Sequence, residues 1–394
     1  MTTITDASAD AVRPSSLVVS SYEGGVEVID NLADEWRELC EEAADDQPFY
    51  RPEWIQAYIR AFVPRARILL LAVRRGQRLC LLLPLVLERT TLSGVPIRKL
   101  RAPVNAHACR FDAARSSGWE GEAAIGACWD YLAKLGSWDL LEFRNAAEGS
   151  TVDRLVEAAR ASGFHAVQVP ERPNPCVPIP ADPKLLTQMP LNARLRTKLR
   201  QVRRQLTDQG PLQLKRVDTA DRDAIERFYE LEASGWKGQE SSAIVCNPGT
   251  RQFYDEVALS AARFGYFSLY LLEWRGQLLA AHFALTHQGR YYSPKVAYNE
   301  KFKEFVPGHL IVSEILHDCV ARGIQSYDIT GPDDEWKMKW TGEARSVHHH
   351  SVFGHGPAGR LAFAVRFKLR PAISRLLLKR SRSGQAVPEL GSIP

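Results

Sequence analysis

The stretch Gly308–Trp340, GHLIVSEILHDCVARGIQSYDITGPDDEWKMKW, predicts the central unit of the fold. Pro307 and the following glycine break the chain, and apolar residues then recur at helical spacing. Gly323 is typical of the left-handed residue that ends a helix. The next seven residues favour a strand that carries Asp328 among apolar neighbours, and a Gly-Pro-Asp-Asp turn follows it. The stretch therefore predicts a helix–strand unit with a carboxylate near the end of the strand.

Length and composition indicate a globular protein of two domains. The 394 residues suit two domains of about 150–200 residues each. The longest apolar run, Leu79–Leu87, is interrupted by Pro84 and is shorter than the roughly 18 residues of a membrane span. Residues 1–20 carry no secretory signal, and we expect a disordered tail there. The seven cysteines are scattered without a CxxC pair, which favours reduced thiols and a cytoplasmic location.

The net charge of +5 is concentrated in two segments. Gln188–Arg216 has eight Lys/Arg against one Asp, and Gly356–Pro394 has eight against one Glu. Such segments favour an anionic partner, although a solvated helix face explains the first equally well. Leu361–Leu378 is basic and amphipathic, which is compatible with peripheral binding to the inner membrane face or with docking on the protein's own body.

The order of predicted elements is repeated along the chain. Arg75-Gly76-Gln77 and Arg275-Gly276-Gln277 occupy the same hairpin in each copy, between two apolar strands. Trp138-Asp139-Leu140 and Tyr327-Asp328-Ile329 each follow a helix that ends at glycine. The proline-rich segment Pro170–Pro183 is the expected boundary between the copies. We therefore predict an α/β fold with a mixed sheet, built from two copies of one β-α-α-β-β-(β)-α-β unit.

This doubled unit resembles the GNAT acyltransferase fold, in the arrangement of the Fem-type peptidoglycan aminoacyl ligases. It resembles more closely the bacterial acetyltransferases linked to cellulose and exopolysaccharide synthesis. The resemblance implies two tandem GNAT-like domains, residues 21–175 and a catalytic 176–355, with 356–394 as a basic tail. The segments that carry it are Asn105–Asp112 (NAHACRFD), Arg194–Arg204, Gly235–Gly238, Lys295–Tyr298, Pro307-Gly308, and Asp328 with Gly331 and Lys337.

The resemblance implies transfer of an acyl group, from acetyl-CoA or another acyl-CoA, to an amine of an envelope or polysaccharide precursor. Two alternatives remain open: a ligase of Fem type that uses aminoacyl-tRNA, and a binding subunit of a polysaccharide-synthesis complex without catalytic activity. In GNAT folds a glycine-rich turn at a helix N-terminus holds the carrier pyrophosphate. The matching residues here are Gly308, His309 and Leu310, preceded by Pro307, which has no N–H to donate.

Three residues are candidates for the catalytic steps. His282 lies on the returning strand of the second hairpin and titrates in the range of a general base, although this position favours a structural histidine. Tyr298 is a candidate proton donor to a leaving thiolate. Asp328 is expected either to act as a base with a raised pKa or to stay ionised beside Lys337.

The candidate substrate-binding residues are Trp236, Lys237, Lys295 and Lys337. A tryptophan stacks on sugars, and lysine binds phosphate or carboxylate. Lys337 is expected in the cleft with the turn 307–309, so that its replacement by alanine abolishes activity with little effect on stability. The histidine run 348–350 favours no metal site, because only two of its side chains face one way and no acid or cysteine lies at ligand spacing.

Overall fold

The computed structural model describes residues 16–188 and 191–369. One mixed sheet of 13 strands runs through this part of the chain, with helices packed on it. The α/β prediction is therefore confirmed. No helix in these two ranges has the length and apolarity that a membrane span requires.

The first copy of the repeat contains seven strands and five helices among the described residues. These are β1 (Leu17–Gly24), α1 (Glu27–Asp30), α2 (Ala33–Glu41), α3 (Pro52–Phe62), β2 (Arg67–Arg75), β3 (Arg78–Leu92), β4 (Val95–Arg101), β5 (Ala114–Arg115), α4 (Gly118–Leu135), β6 (Leu140–Ala147), α5 (Thr151–Ala161) and β7 (His165–Pro178).

The second copy follows the same order, with one additional helix before its first strand, another after its last strand, and no counterpart of β5. Its elements are α6 (Ala193–Gln209), β8 (Leu212–Val217), α7 (Arg222–Ser234), α8 (Trp236–Gln239), α9 (Pro248–Arg263), β9 (Phe267–Trp274), β10 (Gln277–His287), β11 (Arg290–Tyr298), α10 (Pro307–Ala321), β12 (Ser326–Asp328), α11 (Glu335–Met338), β13 (Ala344–Phe353) and α12 (Pro357–Ala364).

The predicted repeat is confirmed by strand pairing. In the first copy β1 to β4 form an antiparallel meander, and β6 then pairs parallel to β4. In the second copy β8 to β11 form the same meander, and β12 pairs parallel to β11. The shared Arg-Gly-Gln words lie at the two hairpins, where Gly76 and Gly276 adopt φ of 60° and 77°. A positive φ is easy for glycine, which explains the residue at both turns.

The two copies exchange their last strands. The strand order across the junction is β6-β13-β7-β12, so β13 extends the sheet of the first copy and β7 extends that of the second. The predicted division at 175/176 therefore falls inside β7, and the proline-rich segment is a central strand for most of its length, not a linker. The strand tolerates its prolines because other residues supply the donors: Cys176 N–H bonds to Glu343 O at 3.1 Å and Ile179 N–H to Gln325 O at 2.9 Å.

Both ends of the described chain differ from the expectation of tails. Strand β1 begins at Leu17, inside the segment predicted to be disordered, and residues 1–15 lie outside the described residues. At the other end, α12 docks on β4 and β13. Its Ala362 is buried in a small core cluster with Ile97 and Phe353. The predicted basic tail therefore begins with a packed helix, and residues 370–394 lie outside the described residues.

A buried ion pair joins the two copies at the centre of the sheet. Arg110 donates from Nη1 and Nη2 to the two oxygens of Asp328, at 2.8 and 3.1 Å. Arg110 also donates to Gln47, and the carboxylate accepts a third hydrogen bond from the Thr330 amide. The side chains of the pair are 4% and 2% exposed. The bidentate geometry satisfies both charges inside the protein.

Apolar packing continues across the same junction. Phe49 packs edge-on against Tyr292 with ring centroids 5.2 Å apart, and Trp54 packs against Phe253 at 5.0 Å. One hydrophobic core thus contains residues of both copies. The copies bury each other's apolar surface and form one folding unit.

We predict that Arg110→Met destabilises the protein by about 3–5 kcal/mol, because it leaves the Asp328 charge buried without its partner. Urea unfolding at neutral pH measures the change. The double variant Arg110→Met/Asp328→Leu should recover much of the loss, since no charge remains buried. The control is Arg345→Met, because Arg345 is 36% exposed and 3.9 Å from the same carboxylate. Equal losses for the two single arginine variants would contradict the assignment.

Candidate active site

The sheet of the second copy has an unpaired strand edge beside its parallel strand pair. Strands β11 and β12 are paired only from Arg290–Tyr292 to Ser326–Asp328. Beyond that point β12 ends while β11 continues to Tyr298, so one edge of β11 has no strand neighbour. A cavity of about 410 Å³ lies there, between the free edge and the start of α10. Its lining residues are Trp236, Lys237, His282, Val296, Ala297, Tyr298, Lys303, Val306, Pro307, Gly308, His309 and Trp336.

The first turn of α10 has little capacity for an anion. Pro307 has no N–H, and the amides of His309 and Leu310 both donate to Val306 O, at 2.9 and 3.0 Å. Among the described residues, Gly308 therefore provides the one backbone N–H of this turn that bonds to no carbonyl. Val306 at the N-cap has φ 45° and ψ 51°, a left-handed conformation that a β-branched residue adopts only under constraint.

His309 is held in one tautomer on the cavity wall. Trp340 donates its indole N–H to His309 Nδ1 at 3.0 Å, so the neutral ring carries its proton on Nε2. Burial, together with the nearby Lys339, lowers the pKa of His309. The ring is therefore a neutral donor at physiological pH. Leu310 is buried on the other side of the helix, away from the cavity.

His282 and Tyr298 lie on the same wall but differ in exposure. His282 is 1% exposed, and its Nδ1 lies 3.2 Å from the Tyr291 hydroxyl. Burial, reinforced by Lys237, lowers the pKa of His282 to about 3. The imidazole is thus neutral and a weak base. Tyr298 is 38% exposed, and its hydroxyl makes no hydrogen bond within the described part of the chain.

Lys237 reaches the cavity while bonded to the protein. Its Nζ donates to Glu232 Oε1 and to the carbonyl of Val296, both at 2.9 Å. The second contact satisfies a carbonyl at the free edge of β11. Lys295 lies 3.8 Å from the same carboxylate and is not on the cavity wall. Trp236, 47% exposed, is part of the cavity lining.

The expected pairing of Asp328 with Lys337 is wrong. Asp328 bonds to Arg110, which keeps it in the interior and off the cavity wall. Lys337 is 7% exposed, and its Nζ donates to the carbonyls of Thr330 and Pro332, both at 2.8 Å. It holds the turn after β12 instead of facing the cavity. Its neighbour Trp336 lines the cavity in its place.

Comparison with known proteins bears on the fold. Residues 193–338 match the family described as Acetyltransferase (GNAT) domain. The crystal structure of FemX superposes with a TM-score of 0.56 at 14% identity, covering 84% of this chain and 98% of that one. The chain has a tandem GNAT fold. No curated protein sequence matches it.

Two further solved structures align more weakly. One is the C-terminal domain of a putative lysylphosphatidylglycerol synthetase from Agrobacterium fabrum, with a TM-score of 0.49 and 10% identity over 86% of this chain and 95% of that one. The other is a tandem GNAT protein from the clavulanic acid biosynthesis pathway, with a TM-score of 0.45 and 15% identity over 86% and 100%.

In this tandem GNAT fold, several site residues had no role assigned from the sequence. Arg110 lies inside the Asn105–Asp112 segment, but its partner is more than two hundred positions away. Glu232 is a buried acid on a helix, with no local signal of its two lysine contacts. Trp340 is the last residue of the stretch Gly308–Trp340. A helix, a strand and a turn separate it from His309 in the chain, so no short sequence spacing indicated their contact. Of these residues, only Arg110 could have been recognised from the sequence, because it is an arginine among small and aromatic residues.

We predict that stability falls as the pH is lowered from about 6.5 towards 4. The pKa of His282 is about 3 and that of His107 about 4, both depressed chiefly by burial. As the pH falls, the unfolded chain therefore binds protons at these two histidines before the folded chain does. Their contribution to the free energy of unfolding is fully present above the pKa of an unfolded histidine, about 6.5, and is lost below it. Each group contributes a slope of about 1.4 kcal/mol per pH unit in this window. Urea unfolding between pH 4.5 and 7.5 measures it. His282→Asn should flatten the slope, and the exposed control His317→Asn should not.

Lys337→Ala is now expected to destabilise the protein by about 1–3 kcal/mol, because the buried carbonyl of Thr330 and the part-buried carbonyl of Pro332 lose their donor. The matched control is Lys339→Ala, since Lys339 is exposed two residues away and should change stability by less than about 0.5 kcal/mol. Thermal or urea unfolding compares the two. Equal stability of both variants would show that the contacts of Lys337 with the two carbonyls do not stabilise the protein.

Proposed function

We propose that the protein transfers an acyl group to an amine in the cavity between the free edge of β11 and the start of α10. The observation that carries the proposal is the chemistry of the lining. Among the described lining residues there are two lysines, Lys237 and Lys303, and no acid. Positive charge lowers the pKa of a bound amine and so favours its neutral, nucleophilic form. It also attracts an anionic carrier.

Each polar group of the wall then has a role in the transfer. The Nε2–H of His309 is the donor available to the acyl carbonyl oxygen as it gains charge. Neutral His282 accepts a hydrogen bond from the attacking amine and orients it. Tyr298, whose hydroxyl is unengaged, supplies a proton to the leaving group, and the proton that the acylated amine loses passes through solvent to replace it. Asp328 and Lys337 support this site from behind and do not touch the reactants.

The first candidate donor is an acyl-CoA, such as acetyl-CoA. Gly308 N–H and the exposed Lys303 are the groups that would hold its phosphates. The acceptor proposed from the resemblance is an amine of an envelope or polysaccharide precursor. Basic residues 370–394, outside the described residues, would bring the cytoplasmic protein to an anionic membrane surface. The positive charge of this segment supports such a contact.

A second candidate donor is aminoacyl-tRNA. The observation that favours it is the single free amide at the start of α10, a weak cradle for a pyrophosphate. Helix α6 adds exposed Arg194, Lys198 and Arg200 on its outer face, suited to a longer phosphate backbone. The fold shared with FemX is compatible with either donor.

Binding assays separate the candidates. We expect isothermal titration to detect acetyl-CoA or an aminoacyl-tRNA, not both, and the affinity for that donor to fall about tenfold or more in Lys303→Glu. The matched control is Lys301→Glu, which makes the same charge change two residues away, at a position that does not line the cavity. Tyr298→Phe should reduce kcat by about 10²-fold with KM nearly unchanged, as expected for a lost proton donor. A protein that binds neither donor, but captures polysaccharide-synthesis proteins, would favour the non-catalytic alternative.

A further inference from the structure

The histidine run near the end of the chain places two imidazoles on one side of β13. His348 and His350 face the same way, and their ring centroids are 5.8 Å apart. His349 faces the other way, where its Nε2 lies 3.0 Å from Glu142. The sequence alone indicated no third ligand at this position, since no acid or cysteine lies nearby in the chain.

The fold supplies the missing acid from the first copy of the repeat. Asp153, in the first turn of α5, has Oδ1 3.3 Å from His350 Nε2. Its Oδ2 accepts the Gly149 N–H at 2.8 Å, which orients the carboxylate. One ligand atom from each of Asp153, His348 and His350 lies within 4.8 Å of the others. The three side chains therefore form a compact His-His-Asp cluster.

The cluster has hydrogen-bonding capacity that the protein does not use. His350 is fully buried, and neither of its ring nitrogens has a hydrogen-bond partner among the described residues. Its contact with Asp153 is close but lacks hydrogen-bond geometry. His348 Nδ1 is buried without a partner as well. Buried polar atoms are normally paired, so three unpaired nitrogens beside a carboxylate indicate that a further group binds there.

We propose that Asp153, His348 and His350 bind one divalent transition-metal ion, zinc or ferrous iron. Two imidazoles and one carboxylate suit these ions better than magnesium or calcium, which prefer oxygen ligands alone. Zn–N and Zn–O bonds of about 2.0–2.1 Å place tetrahedral ligand atoms about 3.3 Å apart. His350 and Asp153 already have that spacing. The half-buried His348 completes the site by rotating its side chain, and water takes the remaining position.

The ion would join the last strand of the chain to the first copy. β13 enters the sheet beside β6, and α5 packs over it, so the three ligands connect elements nearly two hundred residues apart. The charge of Arg160, which lies near His350, opposes the cation and limits the affinity. The site is separate from the acyl-transfer cavity, whose lining shares none of these residues. Such an ion would hold β13 against α5, which is a structural role.

Metal analysis of the tag-free, full-length protein tests the proposal. After incubation with zinc sulfate and extensive dialysis, we expect about one zinc per chain by plasma mass spectrometry, and a rise in melting temperature that EDTA reverses. A parallel anaerobic sample with ferrous iron distinguishes the two ions. Less than about 0.1 metal per chain in both samples would overturn the proposal.

Matched variants assign the ligands. His348→Ala should lose the bound metal and the EDTA-sensitive part of the melting temperature, while His349→Ala, on the opposite face of the same strand, should keep both. If His348→Ala does not fold, Asp153→Asn replaces it, because the amide oxygen retains the Gly149 contact and only the ligand charge is lost. Equal metal content in the wild type and in the folded ligand variant would show adventitious binding and refute the site.

Discussion

The buried pair of Arg110 and Asp328 is the interaction on which the rest of the structure depends. A charge can remain in a protein interior only when its partners are held in place, so this pair fixes the 105–112 segment of the first copy against the end of β12 in the second. The Thr330 amide, bonded to Asp328 Oδ1 at 3.0 Å, ties the following turn to the same carboxylate. Lys337 closes that turn from its other side.

The candidate site is built outward from this turn. Thr330 has φ 45°, a strained value for a β-branched residue, and three hydrogen bonds of its amide, hydroxyl and carbonyl hold it there. The chain then enters α11, where Trp336 reaches the cavity. Trp340 follows and fixes the tautomer of His309. The Arg110–Asp328 contact between the two copies thus helps to position Trp340, which determines that His309 carries its proton on Nε2. Neither Arg110 nor Asp328 touches the cavity itself.

The exchange of last strands explains why the halves are not independent domains. β7 leaves the first copy to pair with β12, and β13 leaves the second to pair with β6. Separating the halves would expose the unpaired backbone of both strands as well as the shared aromatic core. Hinge opening between the halves is therefore disfavoured. Substrate would reach the cavity from the surface, where Trp236 and Tyr298 are exposed.

Much of the candidate site could be predicted from the sequence, because local rules govern it. Pro307-Gly308 had to begin a helix, and that start supplies the cavity's wall. Five residues that the resemblance to GNAT folds singled out line one cavity: Trp236, Lys237, His282, Tyr298 and His309. Lys295 and Leu310 were singled out too and lie elsewhere, since neighbours along the chain face opposite sides of a strand or helix.

What the sequence by itself determined was the repeated order of elements, set by hydrophobic periodicity and glycine positions that act over a few residues. Tertiary structure decided which charges meet. Asp328 had a lysine nine positions away, yet it pairs with an arginine from the other copy, because only the guanidinium satisfies both carboxylate oxygens in the interior. Tertiary structure likewise decided that the proline-rich segment pairs as a strand and that Asp153 lies beside two histidines. Their partners are far apart in the chain, and no local pattern records them.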